Sequence, residues 1–273
     1  MTTIETTGPR VPARSEIRAR PTGFVHDVTT IAGRALRAVP RDLEAVIPPV
    51  LIATFFFVVN IATLSSLTEN TIPGFDYTAF QMPTAILLGV TGVSRAPALV
   101  VDVQNGYLDR LLMTPMRRIA ILLGHLVADV AIAMALTVPI LVLGLLLGAG
   151  FETGIAGAAV FVGMAALWSL AFAGFGYAVA LKTGNPAAVQ SMFLLFFPFL
   201  FLTTSYVPRE QLSGWLDTVA TFNPVTYLLA GLRSLAIDGW GVDVLWAAVA
   251  IALVGTLSMS MCLAALRSRV RSG

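Results

Sequence analysis

Two ionisable side chains inside a long apolar stretch are the residues whose type and spacing could do chemistry. His125 and Asp129 lie within residues 119–151, which are otherwise uncharged. A spacing of four residues places both side chains on one face of a helix. An ionisable pair at that depth in an apolar helix indicates a proton relay or a polar contact for a substrate. The alternative is a structural pair, hydrogen-bonded to each other and facing the interior of a helix bundle.

The sequence contains no motif of a hydrolase or a transferase. Residues 176–183 end in Leu181-Lys182-Thr183, but Leu181 stands where a phosphate-binding loop requires glycine. The single cysteine, Cys262, excludes an internal disulfide and a metal site built from a cysteine cluster. We therefore expect no catalytic residue, no metal and no cofactor bound by this chain, and no ATP hydrolysis by the chain alone.

The composition requires lipid as the main solvent. Of the 273 residues, 57% are hydrophobic and 12% are charged, and the mean hydropathy is +0.84. Stretches without charge, each near or above the about 18–20 residues that cross a bilayer, predict six transmembrane helices. Their expected bounds are about 45–67, 78–101, 119–149, 154–181, 185–205 and 244–266. The predicted fold is an all-α integral membrane protein, with a six-span transmembrane domain over residues 43–270.

The distribution of cations predicts the orientation in the membrane. If the N-terminus is cytoplasmic, every Lys and Arg except Arg209 and Arg233 falls in an inner segment. This asymmetry follows the positive-inside rule. We expect a multi-pass protein of the plasma membrane with both termini in the cytoplasm. The pI near 9.0 reflects this orientation and does not indicate nucleic-acid binding.

The segment before the first span has two predicted parts. Residues 1–23 are rich in Thr, Pro and Arg and are expected to form a disordered cytoplasmic tail. Residues 24–42 are predicted to form an amphipathic helix on the inner membrane surface. Its apolar stripe consists of Phe24, Val28, Ile31, Ala35 and Val39. The alternative for this part is a basic tail without fixed structure.

The segment between the second and third predicted spans is too apolar for a plain loop. Its apolar positions are Leu108, Leu111 and Leu112, its charged ones are Asp109 and Arg110, and Thr114-Pro115 ends the pattern. This spacing predicts a short helix with an apolar face at the membrane surface. Such a helix is suited to bind a protein outside the bilayer, although it could also pack on its own subunit.

The segment before the last span is too polar to cross the membrane and too apolar for an ordinary loop. Trp215, Leu216, Val219 and Phe222 fall on one helical face, and Asn223-Pro224 then breaks the helix and caps the next one. Residues 207–237 are therefore predicted to form two short helices that dip into the outer leaflet.

Two motifs at these positions resemble those of a known family. The first consists of Gly106, Tyr107, Leu108, Asp109, Arg110, Leu111, Leu112, Met113, Thr114 and Pro115. It is similar to the cytoplasmic motif of type 2 ABC exporter permeases, especially the daunorubicin-resistance branch. The second consists of Asn223, Pro224, Val225, Thr226 and Tyr227, followed by Leu232 and Arg233, and it resembles the signature before the last span of that family.

The resemblance implies a permease subunit of an ATP-driven exporter for a hydrophobic or amphipathic compound such as a drug, a lipid or a polyketide. Such permeases pair with a second copy or a paralogue and bind two cytoplasmic ATPase subunits, which use ATP and Mg. The helix at 104–116 would be the coupling helix seated in a cleft of the ATPase, and the helix at 24–41 would brace it. The helices within 207–237 would be a re-entrant pair that closes the exit.

One departure from the family concerns the residues before the first motif. Many relatives carry a run rich in Glu and Arg there, whereas this chain has Val103-Gln104-Asn105. Docking electrostatics tuned to a particular ATPase would account for that difference.

Two other functions stay open at this point. An ion-coupled secondary transporter would use His125 and Asp129, although such proteins usually carry more intramembrane charge and an internal repeat. A membrane scaffold without transport activity would leave the outer helix pair unexplained.

Overall fold

The computed structural model describes residues 23–72, 74–107, 110, 113 and 118–272. Regular structure in this part of the chain is helical, which confirms the all-α prediction for those residues. The long and short α-helices are α1 (Phe24–Ala38), α2 (Leu43–Thr71), α3 (Tyr77–Thr91), α4 (Ala96–Gln104), α5 (Arg118–Leu146), α6 (Gly154–Thr183), α7 (Pro186–Leu194), α8 (Phe196–Phe201), α9 (Trp215–Phe222), α10 (Pro224–Arg233) and α11 (Val242–Ser272). Two 3-10 turns (Val39–Arg41 and Arg209–Gln211) and a π-helical turn (Ser234–Asp238) complete the described elements.

Five helical stretches in the described residues are long and apolar enough to cross a membrane. They are Val46–Thr68 in α2, Tyr77–Gln104 through α3 and α4, Ile119–Leu146 in α5, Gly154–Thr183 in α6 and Val242–Ser268 in α11. These stretches overlap the first four predicted spans and the last one. The prediction of a membrane protein with several spanning helices is therefore confirmed, and a sixth span stays a prediction.

The predicted fifth span, 185–205, is built differently from the others. It consists of α7 and α8, and the apolar helical segment Pro186–Phe201 is about 24 Å long at 1.5 Å per residue. That length is less than the hydrocarbon core of about 30 Å. Pro198 explains the break, since its ring clashes with the carbonyl four residues earlier, where α7 ends. Residues 202–207 then form an irregular segment of bends.

Close packing of the bundle depends on small residues at the helix contacts. A Cβ added to Gly174 of α6 would lie 2.5 Å from Ser258 Oγ of α11, and that hydroxyl donates to Ala171 O at 2.5 Å. A Cβ on Gly144 of α5 would lie 2.7 Å from the sulfur of Met82 in α3. In lipid, where helix association depends on van der Waals packing, such contacts hold the helices together.

Helix α1 packs against the first half of α5. Ile31 and Ala35 on its apolar stripe are buried, whereas Val25 is 72% exposed. A Cβ on Gly124 of α5 would lie 2.6 Å from Ile31 Cβ. Helix α1 can approach α5 this closely because position 124 is glycine. The segment predicted as 24–42 is thus a helix followed by a 3-10 turn, and its location at the inner membrane surface stays a prediction.

Candidate functional site

Asp129 of α5 lies next to a break in the second span. Helix α3 ends at Thr91 and α4 begins at Ala96, although the sequence predicts one continuous helix over 78–101. One carboxylate oxygen of Asp129 accepts the backbone N–H of Arg95 at 2.7 Å. The other oxygen accepts the hydroxyl of Ser94 at 2.9 Å and that of Tyr177 at 2.7 Å. The carboxylate therefore binds the turn that precedes α4 and joins it to α5 and α6.

His125 has partners of its own. Its Nδ1 lies 2.9 Å from Ile121 O in the same helix, and its Nε2 lies 3.8 Å from a carboxylate oxygen of Asp102. Both His125 and Asp129 are buried and face the bundle interior, as expected. Within the described residues, however, they bind different groups rather than each other, because each is engaged by the broken second span.

Helix α1 is tied to the end of α4 by an ion pair. The guanidinium of Arg34 bonds the carboxylate of Asp102, and its central carbon lies 4.5 Å from the centroid of the Tyr107 ring. On the other side of α4, Gln104 Nε2 donates to Gly184 O at 2.9 Å at the end of α6. The last turn of α4 is thus held from two sides directly before the first family motif.

Part of that motif lies in the described residues. Gly106 has φ +65, a left-handed conformation that suits glycine, and its N–H donates to Val103 O at 3.1 Å as α4 ends. Arg110 is exposed, and so is Met113 at 80%. The remaining predicted coupling residues, Leu108, Asp109, Leu111, Leu112, Thr114 and Pro115, lie outside the described residues.

Asn223 and Pro224 of the second motif begin α10. The side-chain oxygen of Asn223 accepts the N–H of Val225 at 3.0 Å, and Pro224 occupies the first turn, where no N–H is needed. The amide nitrogen of Asn223 donates to Phe199 O at 2.6 Å and to Leu202 O at 3.0 Å. One side chain therefore caps α10 and binds the end of α8.

Arg233, at the end of α10, is buried among neutral acceptors. Its Nε donates to Phe80 O at 2.9 Å, and its terminal nitrogens donate to Thr204 Oγ1 at 3.0 Å and Thr84 Oγ1 at 3.3 Å. The guanidinium also lies 3.5 Å from the centroid of the Phe80 ring. These bonds hold the irregular segment 202–207 against α3.

Other polar side chains donate hydrogen bonds to backbone carbonyls of the same irregular segment. Ser205 O accepts from Thr84 Oγ1 at 3.3 Å, and Tyr206 O accepts from the Tyr77 hydroxyl at 3.3 Å. Tyr227 donates to Thr221 O at 2.8 Å and so connects α10 to α9. Irregular backbone is tolerated near lipid when protein groups supply its hydrogen bonds. Sequence reasoning found the second motif but missed Tyr77 and Thr84, whose polarity within an apolar stretch was the available signal.

The described residues include no group of three or more His, Cys, Asp or Glu side chains placed to hold a metal ion. The polar groups described above bind helix ends and backbone carbonyls. Their arrangement can fix broken helices within a membrane domain and leaves the apolar outer faces of the spans free for lipid or protein.

Known proteins match this chain over most of its length. The ABC-2 type transporter family matches residues 27–237. The probable doxorubicin resistance ABC transporter permease protein DrrC of Mycobacterium tuberculosis is 25% identical over 220 residues, which is 79% of each chain. The daunorubicin resistance ABC transporter permease protein DrrB1 of Streptomyces coeruleorubidus is 26% identical over 254 residues, covering 85% of this chain and 84% of its own. The probable multidrug ABC transporter permease YbhR of Escherichia coli is 25% identical over 179 residues, covering 64% and 48%.

These similarities confirm the family that the two motifs indicate. They agree with the helical membrane domain, since the matched family is one of transporter membrane subunits. The chain is an ABC transporter permease subunit and belongs to the ABC-2 type transporter family.

Proposed function

We propose that this permease works in an exporter that moves a hydrophobic or amphipathic compound, such as a drug, a lipid or a polyketide, out of the cell. A separate cytoplasmic ATPase subunit supplies the energy by hydrolysing ATP with Mg. Relatives named for resistance to doxorubicin and daunorubicin support an amphipathic drug-like substrate. The observation that carries the proposal is the ion pair between Arg34 and Asp102, because it joins α1 to the helix turn that leads into the first family motif.

Residues 104–116 act as the coupling helix in this proposal. The motif from Gly106 to Pro115 supports the assignment, as does the exposure of Arg110 and Met113. A lever between two proteins must be clamped to the membrane domain at one end, and the bonds of Asp102 and Gln104 provide a clamp. Leu108, Leu111 and Leu112 would fill a pocket on the ATPase, with Asp109 and Arg110 at its rim.

The proposed topology has six spans, with α7 and α8 as the short fifth one. The irregular segment 202–207 would complete the crossing, which its protein hydrogen-bond donors support. Residues 207–237 would be the outer re-entrant pair that closes the exit, fastened by Asn223, Tyr227 and Arg233. Both termini would then lie in the cytoplasm of a plasma-membrane protein.

A second permease, either another copy or a paralogue, is part of the proposed assembly. The span in α2 is mostly exposed in the single chain: Leu51 and Phe55 are 62% and 63% exposed. A partner permease or lipid must cover this apolar face. Two permeases would bind two ATPase subunits, one through each coupling helix.

Vanadate inhibition of doxorubicin transport in proteoliposomes tests the energy source. The permease is reconstituted with its partner ATPase, and doxorubicin movement is followed by fluorescence. We expect ATP-dependent transport that vanadate abolishes and that a protonophore leaves unchanged. Transport that persists with vanadate and stops with the protonophore would favour the ion-coupled transporter instead, and would contradict the proposal.

The ion-coupled alternative has weak support from the geometry. His125 and Asp129 would be its working groups, but both are engaged with helix ends and neighbouring side chains. The family match also favours an ATP-driven transporter over that alternative.

A further inference from the structure

A cavity of about 670 Å³ opens between α1, the 3-10 turn after it, α4 and α7. This volume falls in the range of small-molecule binding sites. Three cations, Arg34, Arg41 and Arg95, and three acids, Asp42, Glu44 and Asp102, line the cavity. Apolar side chains that include Ala98, Val101 and Phe193 complete its wall. The transport mechanism proposed above leaves the cavity without a role.

Arg95 is the polar group that requires a ligand. Its side chain is 9% exposed, and its Nη1 donates to a carboxylate oxygen of Asp42 at 2.9 Å. Its buried Nε has no acceptor among the described residues. A buried donor without an acceptor costs about 1–3 kcal/mol, and more for a charged group, so that such sites usually have a function. The bond from Arg95 N to Asp129 fixes this residue in place.

The other charges around the cavity determine which ligand fits. Arg34 is neutralised by Asp102, and Asp42 is engaged by Arg95. Arg41 and Glu44 both line the cavity and are exposed, so that the buried Nε of Arg95 is the donor that determines which group binds. The ligand must therefore offer an oxygen acceptor to Arg95 Nε. It must also offer an apolar part to the wall that Ala98, Val101 and Phe193 form.

A glycerophospholipid meets these requirements. Its phosphate carries oxygens that accept charge-assisted hydrogen bonds from guanidinium groups. The methylene groups of its acyl chains are apolar and suit the wall beside Phe193. Helix α1 is amphipathic, and basic pockets between membrane helices are known sites for lipid headgroups.

We propose that the cavity is a binding site for the phosphate headgroup of a glycerophospholipid from the leaflet in which α1 lies. Arg95 holds the phosphate at the inner end of the cavity. Because Arg34 and Asp102 also line the cavity, the bound lipid stabilises the joint between α1 and α4. The lipid is a structural ligand and differs from the transported compound.

Native mass spectrometry of the full chain, delipidated in a non-ionic detergent and titrated with phosphatidylglycerol, tests this site. Wild type should retain one phosphatidylglycerol per chain. Arg95→Gln should weaken that binding at least about tenfold, the loss expected for one charge-assisted hydrogen bond. Arg209→Gln is the matched control and should bind like wild type, because Arg209 is exposed and bonds Thr221 far from the cavity. The assay requires neither an ATPase nor transport, so that its result is independent of the proposed export function.

Two further arms keep the test decisive if Arg95→Gln fails to fold. Ala98→Trp keeps every charge but fills the cavity, and it should also lose the bound lipid. Inorganic phosphate and diacylglycerol serve as competitors, and neither should displace phosphatidylglycerol at equal concentration. Displacement by inorganic phosphate would mean a free-phosphate site, and displacement by diacylglycerol would mean an apolar site; either result would overturn the proposal. Lipid binding by Arg95→Gln or Ala98→Trp at the wild-type affinity would also overturn it.

Discussion

At the scale of single residues, buried polar side chains in this protein serve mainly to hold broken helices. Asp129 binds the turn before α4, Asn223 caps α10, and Arg233 binds the irregular segment after α8. Each replaces hydrogen bonds that lipid cannot supply. A residue in the middle of an apolar span can thus have a structural role that is as strict as a functional one.

Asp129→Asn distinguishes a structural role of Asp129 from a role in proton transfer. The amide keeps only one acceptor oxygen. Either the N–H of Arg95 or the two hydroxyls of Ser94 and Tyr177 would therefore lose their acceptor, at a cost of about 1–3 kcal/mol. We expect a lower unfolding temperature of the purified permease and a transport rate whose pH profile is the same as that of wild type. The unfolding transition and transport across a pH series measure both effects.

Tyr177→Phe is the control for that substitution, since it removes one donor to Asp129 and keeps the carboxylate. It should destabilise the protein less than Asp129→Asn. An unchanged unfolding temperature of Asp129→Asn, together with a shifted pH profile of transport, would instead assign a proton relay to Asp129.

At the scale of elements, α1, α4 and α5 form one unit beside the proposed coupling segment, residues 104–116. Ile31 packs onto Gly124, and Arg34 bonds Asp102, so that α1 contacts both the third span and the end of the second. We infer that a push on residues 104–116 is transmitted through this unit. The small size of Gly124 is the feature on which the contact depends.

Gly124→Ala should loosen α1 and weaken coupling. The added methyl group would lie 2.6 Å from Ile31 Cβ, and overpacking of this kind costs about 1–3 kcal/mol. We expect severalfold lower transport, with α1 more accessible to limited proteolysis. Gly163→Ala is the matched control, because a Cβ at Gly163 meets no atom within 4 Å. Equal activity and equal proteolysis of the two variants would contradict the bracing role of α1.

Sequence reasoning predicted the elements that depend on local patterns. Long uncharged stretches predicted the spans in α2, α5, α6 and α11, and Asn223-Pro224 predicted the start of α10, because hydropathy and helix caps are encoded within a few neighbouring residues. The break between α3 and α4 was not predicted. It depends on Asp129 and Tyr177, which are distant from Arg95 in sequence and meet it only in the folded bundle.

At the scale of the whole molecule, the chain is a membrane subunit that needs other proteins. The apolar face of α2 is exposed in the single chain. Family membership supports an ATPase partner and a second permease. The central claim is that residues 104–116 connect ATP hydrolysis on that partner to movement of the membrane helices.

Permease-stimulated ATP hydrolysis by Leu111→Arg, in proteoliposomes with the partner ATPase, tests this claim most directly. In the proposed coupling role, an arginine at position 111 would put a charge into the ATPase pocket, where an unpaired buried charge is strongly unfavourable. Leu111→Met keeps an apolar side chain of similar volume and should retain most of the stimulation. For Leu111→Arg we predict hydrolysis at the rate of the ATPase alone, with wild-type amounts of permease in the membrane. Full stimulation by Leu111→Arg would contradict the coupling role.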